Sequence, residues 1–193
     1  MVDKVLISKK AETVGKKQLT NFIPPIDDAI ETKLHSIANK GYGVTQPTII
    51  SLEEIQHALN EWKSENQIYS QDINPSTCTE LAMSFKKILQ ISNLDNLVKL
   101  QKLKLDNNMI MKIENLDRLV NIKWLDLSFN FITKIENLNT LNELTDLSLF
   151  SNQISEVEGL DSCRKLNVLS LGRNNIKHPK EVRDIKFNNF ILY

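Results

Sequence analysis

One spacing recurs from Leu100 to Ile176 and restricts what this chain can fold into more than any other feature. Leucine-x-x-leucine-x-leucine-x-x-asparagine-x-isoleucine reads first as Leu100, Leu103, Leu105, Asn108 and Ile110, then as Ile122, Leu125, Leu127, Asn130 and Ile132. It continues as Leu144, Leu147, Leu149, Asn152 and Ile154, and as Leu166, Leu169, Leu171, Asn174 and Ile176, each residue 22 after its counterpart. One period upstream, Leu81, Met83 and Ile88 hold the register, while Cys78 and Lys86 stand where leucine and asparagine are due. A second set fills the intervals: Ile91 and Leu94, Ile113 and Leu116, Ile135 and Leu138, Val157 and Leu160, with Leu97, Leu119, Leu141 and Cys163 closing each turn. A fixed period of this length means a stack of like units, none of which can bury its own apolar face alone.

The register is that of leucine-rich repeats of 22 residues, four regular and one degenerate leading repeat. The two leucines of each leucine-x-leucine point inward from a short strand and the residue between them points out. Successive strands then stack in parallel about 4.8 Å apart. The asparagines fall where the chain turns and can satisfy buried backbone donors and acceptors, so Asn108, Asn130, Asn152 and Asn174 are expected to form an internal ladder. The expected class is an α/β repeat solenoid, right-handed, with a short parallel sheet on its concave side and turns or 3₁₀ segments opposite.

A stack has two ends that need cover. Ser51-Leu52-Glu53-Glu54 reads as a capping box opening a helix through about Glu65, with Leu52, Ile55, Leu59 and Trp62 on one stripe. It is expected to pack on the first repeat; a free helix for a partner is the other reading. The expected organisation is a flexible or extended arm over 1–47, a capping helix and connector over 48–77, the repeats over 78–187, and an incomplete further repeat or tail over 188–193. The arm carries Lys4, Lys9, Lys10, Lys16 and Lys17, then Pro24-Pro25, Gly41 and Gly43, with no sustained period. After Asn174 the pattern weakens: Pro179, Val182 and Ile185 replace the usual residues and no capping motif follows. The chain is therefore expected to be a fragment or to have that face covered by a partner.

Composition narrows the function classes. Lysine and arginine total 24 and aspartate and glutamate total 24, a formal net charge of zero, which disfavours binding of nucleic acid. No run approaches the roughly 20 apolar residues that span a bilayer, and Met1-Val2-Asp3-Lys4 opens no signal-peptide block and no myristoylation site. Two cysteines and no unblocked Asn-x-Ser/Thr site fit a reducing, intracellular home. His35, His57 and His178 lie far apart, and Cys78 and Cys163 occupy repeat core positions, where they read as small buried apolar residues. No zinc, nucleotide-binding or serine-nucleophile motif occurs. Glu114, Glu136 and Glu158 recur at one repeat position and read as a solvated ridge. No catalytic, cofactor or metal site is expected, and the chain is read as no enzyme.

What remains is a surface. Outward strand positions line up across repeats as columns: Glu80, Lys102, Trp124, Asp146 and Val168, then Ala82, Lys104, Asp126, Ser148 and Ser170. Beyond them come Ser84, Asp106, Ser128, Phe150 and Gly172, and then Phe85, Asn107, Phe129, Ser151 and Arg173. Trp124 with Phe129 and Phe150 on its diagonals is expected to form an aromatic cluster bordered by Lys102, Lys104, Asp126, Asp146 and Arg173. Aromatic anchors with a charged rim have the make-up of a protein interface. These eight residues are the candidate protein-binding site; in the alternative, Phe129 and Phe150 tuck into turn packing and leave Trp124 alone.

The Lys-Ile-Glu-Asn-Leu spacers at 112–116 and 134–138 resemble the repeat subclass typified by the regulatory subunit of protein phosphatase 1. Trp124-Leu125-Asp126-Leu127-Ser128-Phe129-Asn130, Leu147-Ser148-Leu149 and Val168-Leu169-Ser170-Leu171-Gly172 together resemble the dynein regulatory complex subunit 3 family. Glu53-Glu54-Ile55-Gln56-His57-Ala58 looks similar to the helix that precedes that family's repeats. The resemblance spans roughly residues 49–178 and implies a non-enzymatic scaffold subunit of the nexin–dynein regulatory complex on the axoneme of cilia and flagella. The implied partners are other subunits of that complex, with dynein or doublet-microtubule proteins as further candidates, and no nucleic acid, membrane or homo-oligomer. Family members follow the repeats with a long coiled coil, and residues 179–193 depart from the family pattern. The alternative is a phosphatase 1 targeting subunit. A third class, an RNA-associated repeat protein like the spliceosomal component that shares this repeat type, is disfavoured by the zero net charge.

Overall fold

In each repeat a buried leucine flanked by two solvent-facing residues sets up a strand three residues long. This computed structural model describes residues 48–50, 52–65, 75–177 and 191–192, all within the compact unit Thr45–Tyr193. The expected arm, Ser51 of the capping box, residues 66–74, residues 178–190 with His178, and Tyr193 lie outside the described residues.

The elements run β1 (Thr48–Ile49), α1 (Leu52–Glu65), a 3₁₀ turn (Pro75–Thr77), β2 (Glu80–Ala82), β3 (Ile88–Gln90), β4 (Lys102–Lys104), β5 (Trp124–Asp126), β6 (Asp146–Ser148), β7 (Val168–Ser170) and β8 (Ile191–Leu192). Six of them form one parallel sheet in the order β2-β4-β5-β6-β7-β8. Its register aligns Leu81, Leu103, Leu125, Leu147 and Leu169, each no more than 2 % exposed. Leu192 pairs with Leu169, so the last described residues extend the sheet by one strand.

Behind the sheet the chain returns through pairs of turns. Leu119 N–H donates to Leu116 O at 2.9 Å and Ile122 N–H to Leu119 O at 3.0 Å, and the same two bonds recur at Leu97 and Leu100, Leu141 and Leu144, and Cys163 and Leu166. Between the sheet and these turns lies the core, a single stack running from Ile50 to Leu171.

The expected asparagine ladder is present and runs through the stack. Asn130 Oδ1 accepts from Ile110 N–H at 2.9 Å, and its Nδ2 donates to the carbonyls of Leu105, Leu127 and Ser128 at 3.0–3.1 Å. Asn108, Asn152 and Asn174 repeat the arrangement one period apart. Each asparagine thus ties its own repeat to the one before it. A second, smaller ladder runs on the turn side: Asn93, Asn115 and Asn137 donate through Nδ2 to the carbonyls of Ile50, Ile91 and Ile113, each at 2.7 Å. All three asparagines have positive φ, and the next position in the row is Gly159 at φ +70°. A Cβ there would lie 2.4 Å from Ile135 O, so only glycine fits.

The N-terminal end is closed by two devices. α1 starts with Glu53 and Glu54 in its first turn, where negative charge suits the helix dipole. It buries Ile55, Ala58 and Leu59 in the core cluster; the side chains of Leu52 and Trp62 lie outside the described set. Ahead of it, β1 pairs with β3 and Ile50 O takes the hydrogen bond from Asn93 that an earlier repeat would otherwise receive. Ile50 O therefore plays toward Asn93 the part that Ile91 O and Ile113 O play toward Asn115 and Asn137.

Candidate functional site

Because the inward leucines fix the pleat, the first and third residues of each strand must face outward. The register sets Glu80, Lys102, Trp124, Asp146 and Val168 in one row and Ala82, Lys104, Asp126, Ser148 and Ser170 in the next. Trp124, Asp126, Asp146 and Lys104 are half-buried and Lys102 is exposed.

The charges on this face are unevenly matched. Lys102 Nζ lies 3.5 Å from Glu80 Oε2 and 5.3 Å from the centroid of the Trp124 ring, a cation–π distance. Lys104 Nζ lies 3.7 Å from Asp106 Oδ1. Among the described residues the hydrogen bonds that Asp126 and Asp146 accept come from neutral donors, although Lys104 faces Asp126 across the strands. Asp126 Oδ1 accepts from Ser128 N–H at 2.9 Å and from the Ser128 hydroxyl, and Asp146 Oδ2 accepts from Thr145 Oγ1 at 2.7 Å.

The third row departs from the outward placement that its spacing suggests. Asp106 and Ser128 are buried, 7 % and 6 % exposed, because the chain is already turning inward toward the asparagine ladder. Asp106 is held there by Ser84 Oγ at 2.5 Å and Asn107 Nδ2 at 2.6 Å. Ser128 and Ser148 share a hydroxyl–hydroxyl bond at 3.0 Å.

The aromatic residues fall into two groups rather than one cluster. Phe129 and Phe150 pack edge to face with centroids 5.5 Å apart, and the Arg173 guanidinium sits 5.5 Å from the Phe150 ring. Trp124 packs against Lys102 instead. The split follows from the backbone: Phe129 and Arg173 belong to a row with positive φ, at +53° and +55°, which swings their side chains past the end of the strands. Phe85 occupies the same row at φ +60° and is 73 % exposed. It stands outside the eight candidates, although its place two periods before Phe129 was a readable signal. Beside these strands, α1 and β2 enclose a groove of about 240 Å³ into which Glu61, Glu80, Lys102 and Lys104 open.

Little elsewhere suggests chemistry. Cys78 and Cys163 are buried free thiols; burial pushes each up to about 11 from 9.0, offset in part at Cys78 by its hydrogen bond to Glu80 O. His57 pairs with Glu61 on the exposed face of α1 at 3.4 Å. On the turn side, the Glu158 carboxylate 3.2 Å away holds the Lys134 ammonium above its usual range, so that acidic ridge carries its own counter-ion. Among the described residues no cluster of His, Cys, Asp and Glu could hold a metal, and no helix is long and apolar enough to cross a membrane.

Comparison with known proteins agrees with this architecture. Residues 120–162 match the family described as Leucine Rich repeats (2 copies). An internalin of Listeria monocytogenes, inlF, shares 26 % identity over 69 % of this chain and 42 % of that one, with a TM-score of 0.56. Internalin C2 of the same organism shares 27 % identity over 61 % of this chain and 53 % of that one, with a TM-score of 0.55. The chain therefore spans about half or less of either internalin. A chain of the Drosophila melanogaster SNF/U2A' complex shares 30 % identity over 60 % of this chain and 71 % of that one, with a TM-score of 0.47. No curated protein matches the sequence.

Proposed function

From the premise that this chain belongs to the leucine-rich repeat family, a fold of protein-interaction scaffolds, we propose that it is a non-enzymatic scaffold subunit of the axonemal nexin–dynein regulatory complex. The outward face of its sheet holds one or more protein partners there and contributes to the control of dynein-driven ciliary beating. Other subunits of that complex are the first candidates for the partner.

One observation carries the reading. The string Trp124 to Asn130, on which the resemblance to the regulatory-complex family rests, supplies the centre of the outward face. It provides a half-buried tryptophan, the partly open Asp126 and the exposed Phe129 within seven residues. The same string needs only Leu125, Leu127 and Asn130 for the repeat fold, so the tryptophan is free for another purpose. An accessible tryptophan beside charged neighbours is what interface anchors look like.

Fractionation of isolated cilia tests the reading. The tagged protein should stay with the doublets through detergent and leave only in strong salt. Release with the detergent-soluble pool, or absence from cilia, would sink it. Co-purifying phosphatase activity would put the phosphatase-targeting function in its place.

A further inference from the structure

The charge pattern of the outward face says which kind of partner it suits. Both lysines near its centre are already matched, Lys102 by Glu80 at 3.5 Å and Lys104 by Asp106 at 3.7 Å. Among the described residues Asp126 and Asp146 form no ion pair, although Lys104 stands opposite Asp126 in the register with its ammonium turned to Asp106, and Asp126 Oδ2 and Asp146 Oδ1 accept no hydrogen bond there. Since Asp146 pairs with Trp124 and Asp126 with Ser148, the two aspartates are diagonal neighbours on the outward face of adjacent strands, and side chains of ordinary length reach each other at such positions. Trp124 lies beside both, and its ring already draws a cation, the Lys102 ammonium at 5.3 Å.

We propose that this centre receives a basic segment of a protein partner, with an arginine or lysine side chain set between Asp126 and Asp146 against Trp124. The inference rests on the protein-binding reading of this face and names the chemistry of what binds. A guanidinium offers donors on more than one edge, so it can engage carboxylates from two neighbouring strands, and its planar fork suits both the acids and the indole ring. An acidic segment would meet two carboxylates outside any ion pair among the described residues, and lysines already paired. A phosphate backbone would meet the same obstacle, and the Arg173 guanidinium is turned to Phe150 at the far rim.

The test uses the full chain and two labelled peptides, one alternating arginine and glycine and one alternating glutamate and glycine, followed by fluorescence anisotropy. The arginine peptide should bind, more weakly as salt rises, and the glutamate peptide should not. Changing Asp126→Asn and Asp146→Asn together should weaken the arginine peptide about tenfold, as expected when an interfacial cation loses its partners. The asparagines keep the acceptors that Ser128 and Thr145 use, so the melting temperature should hold. Lys102→Ala should tighten binding, because it removes the resident cation from the ring and frees Glu80; for an acidic partner the sign reverses. Glu136→Gln with Glu158→Gln, on the turn side, should change nothing. Binding that ignores the two aspartates, a preference for glutamate, or a dimer that the double asparagine variant dissolves would each overturn the proposal. If the peptide fails to bind while a native partner stays bound in a Trp124-dependent way to the asparagine variant, the basic-segment inference falls and the scaffold reading stands.

Discussion

A bulky residue held at positive φ is strained unless something else benefits from its placement, and Phe85 and Phe129 are both held so, at +60° and +53°. Left-handed backbone costs an L-residue about 1 kcal/mol. Phe129 recovers part of that through its ring contact with Phe150. Phe85 is 73 % exposed and has no described ring partner. Phe85→Asn, which suits this conformation and matches Asn107 one period on, should therefore stabilise the fold by about 1 kcal/mol. For a chain of this size that is a rise of roughly 2–4 °C in a thermal melt; an unchanged or lower midpoint would show that the ring packs usefully after all. Trp124→Ala should leave the melt nearly where it was but weaken a bound partner by about 2 kcal/mol, read by titration calorimetry. Equal affinity in the folded variant would remove Trp124 from the interface. The two cysteines carry a pH dependence. Each thiol ionises near 9.0 when unfolded and near 11 when folded, so between these values the folded state holds more protons. Stability should be flat at neutral pH and fall as pH rises from 9 toward 11. Denaturant midpoints across that range check it, and a Cys78→Ala, Cys163→Ala chain should show a shallower alkaline decline.

At the scale of the element, the asparagine ladder shows how one side chain per repeat secures a turn that the backbone alone cannot satisfy. Asn130 accepts one bond and donates to three carbonyls across two repeats. Asn130→Ala strands the Ile110 amide and several carbonyls in the interior, at about 2–4 kcal/mol in all. Asn130→Asp keeps the acceptor and loses the donors, so it should also destabilise; chemical denaturation of both variants is the check, and a parent-like midpoint for alanine would mean that water replaces the side chain. This ladder was legible because its residue type recurs at one spacing. The pairing of β1 with β3 was not, since Thr48 to Ile50 follow no period; their place shows only in the fold, where Ile50 is buried in the core and its carbonyl accepts from Asn93. The split of the aromatic residues was equally hidden. Periodicity gives a position in the repeat, whereas the direction of Phe129 depends on a positive φ that phenylalanine does not announce. The eight candidate residues thus lie on one side of the stack, with Trp124 and Phe129 in separate neighbourhoods.

For the whole molecule, order along the axis decides how damage spreads. Each repeat touches only its neighbours, so stability is a sum of repeat terms and junction terms. Leu127 is fully buried in the third of five repeats, and Leu127→Ala leaves a cavity there worth about 2–5 kcal/mol. Because the junctions on both sides of β5 lose packing together, the array should break in the middle. Amides on the two flanks should then exchange faster as well. Leu59→Ala removes an equally buried side chain from α1, but it weakens only the junction with the first repeat. Exchange should rise around Glu80–Ala82 and decay over the next strands, leaving Val168–Ser170 protected. Amide hydrogen exchange followed strand by strand distinguishes the two patterns. If Leu127→Ala loosens only β5 and its immediate neighbours, the stack tolerates a soft centre; if Leu59→Ala exposes every strand equally, the array folds as one all-or-none unit. Trp124 and the two aspartates project from β5 and β6. A partner laid across the strands should therefore protect the middle of the stack most, which is where the Leu127→Ala chain is predicted to open.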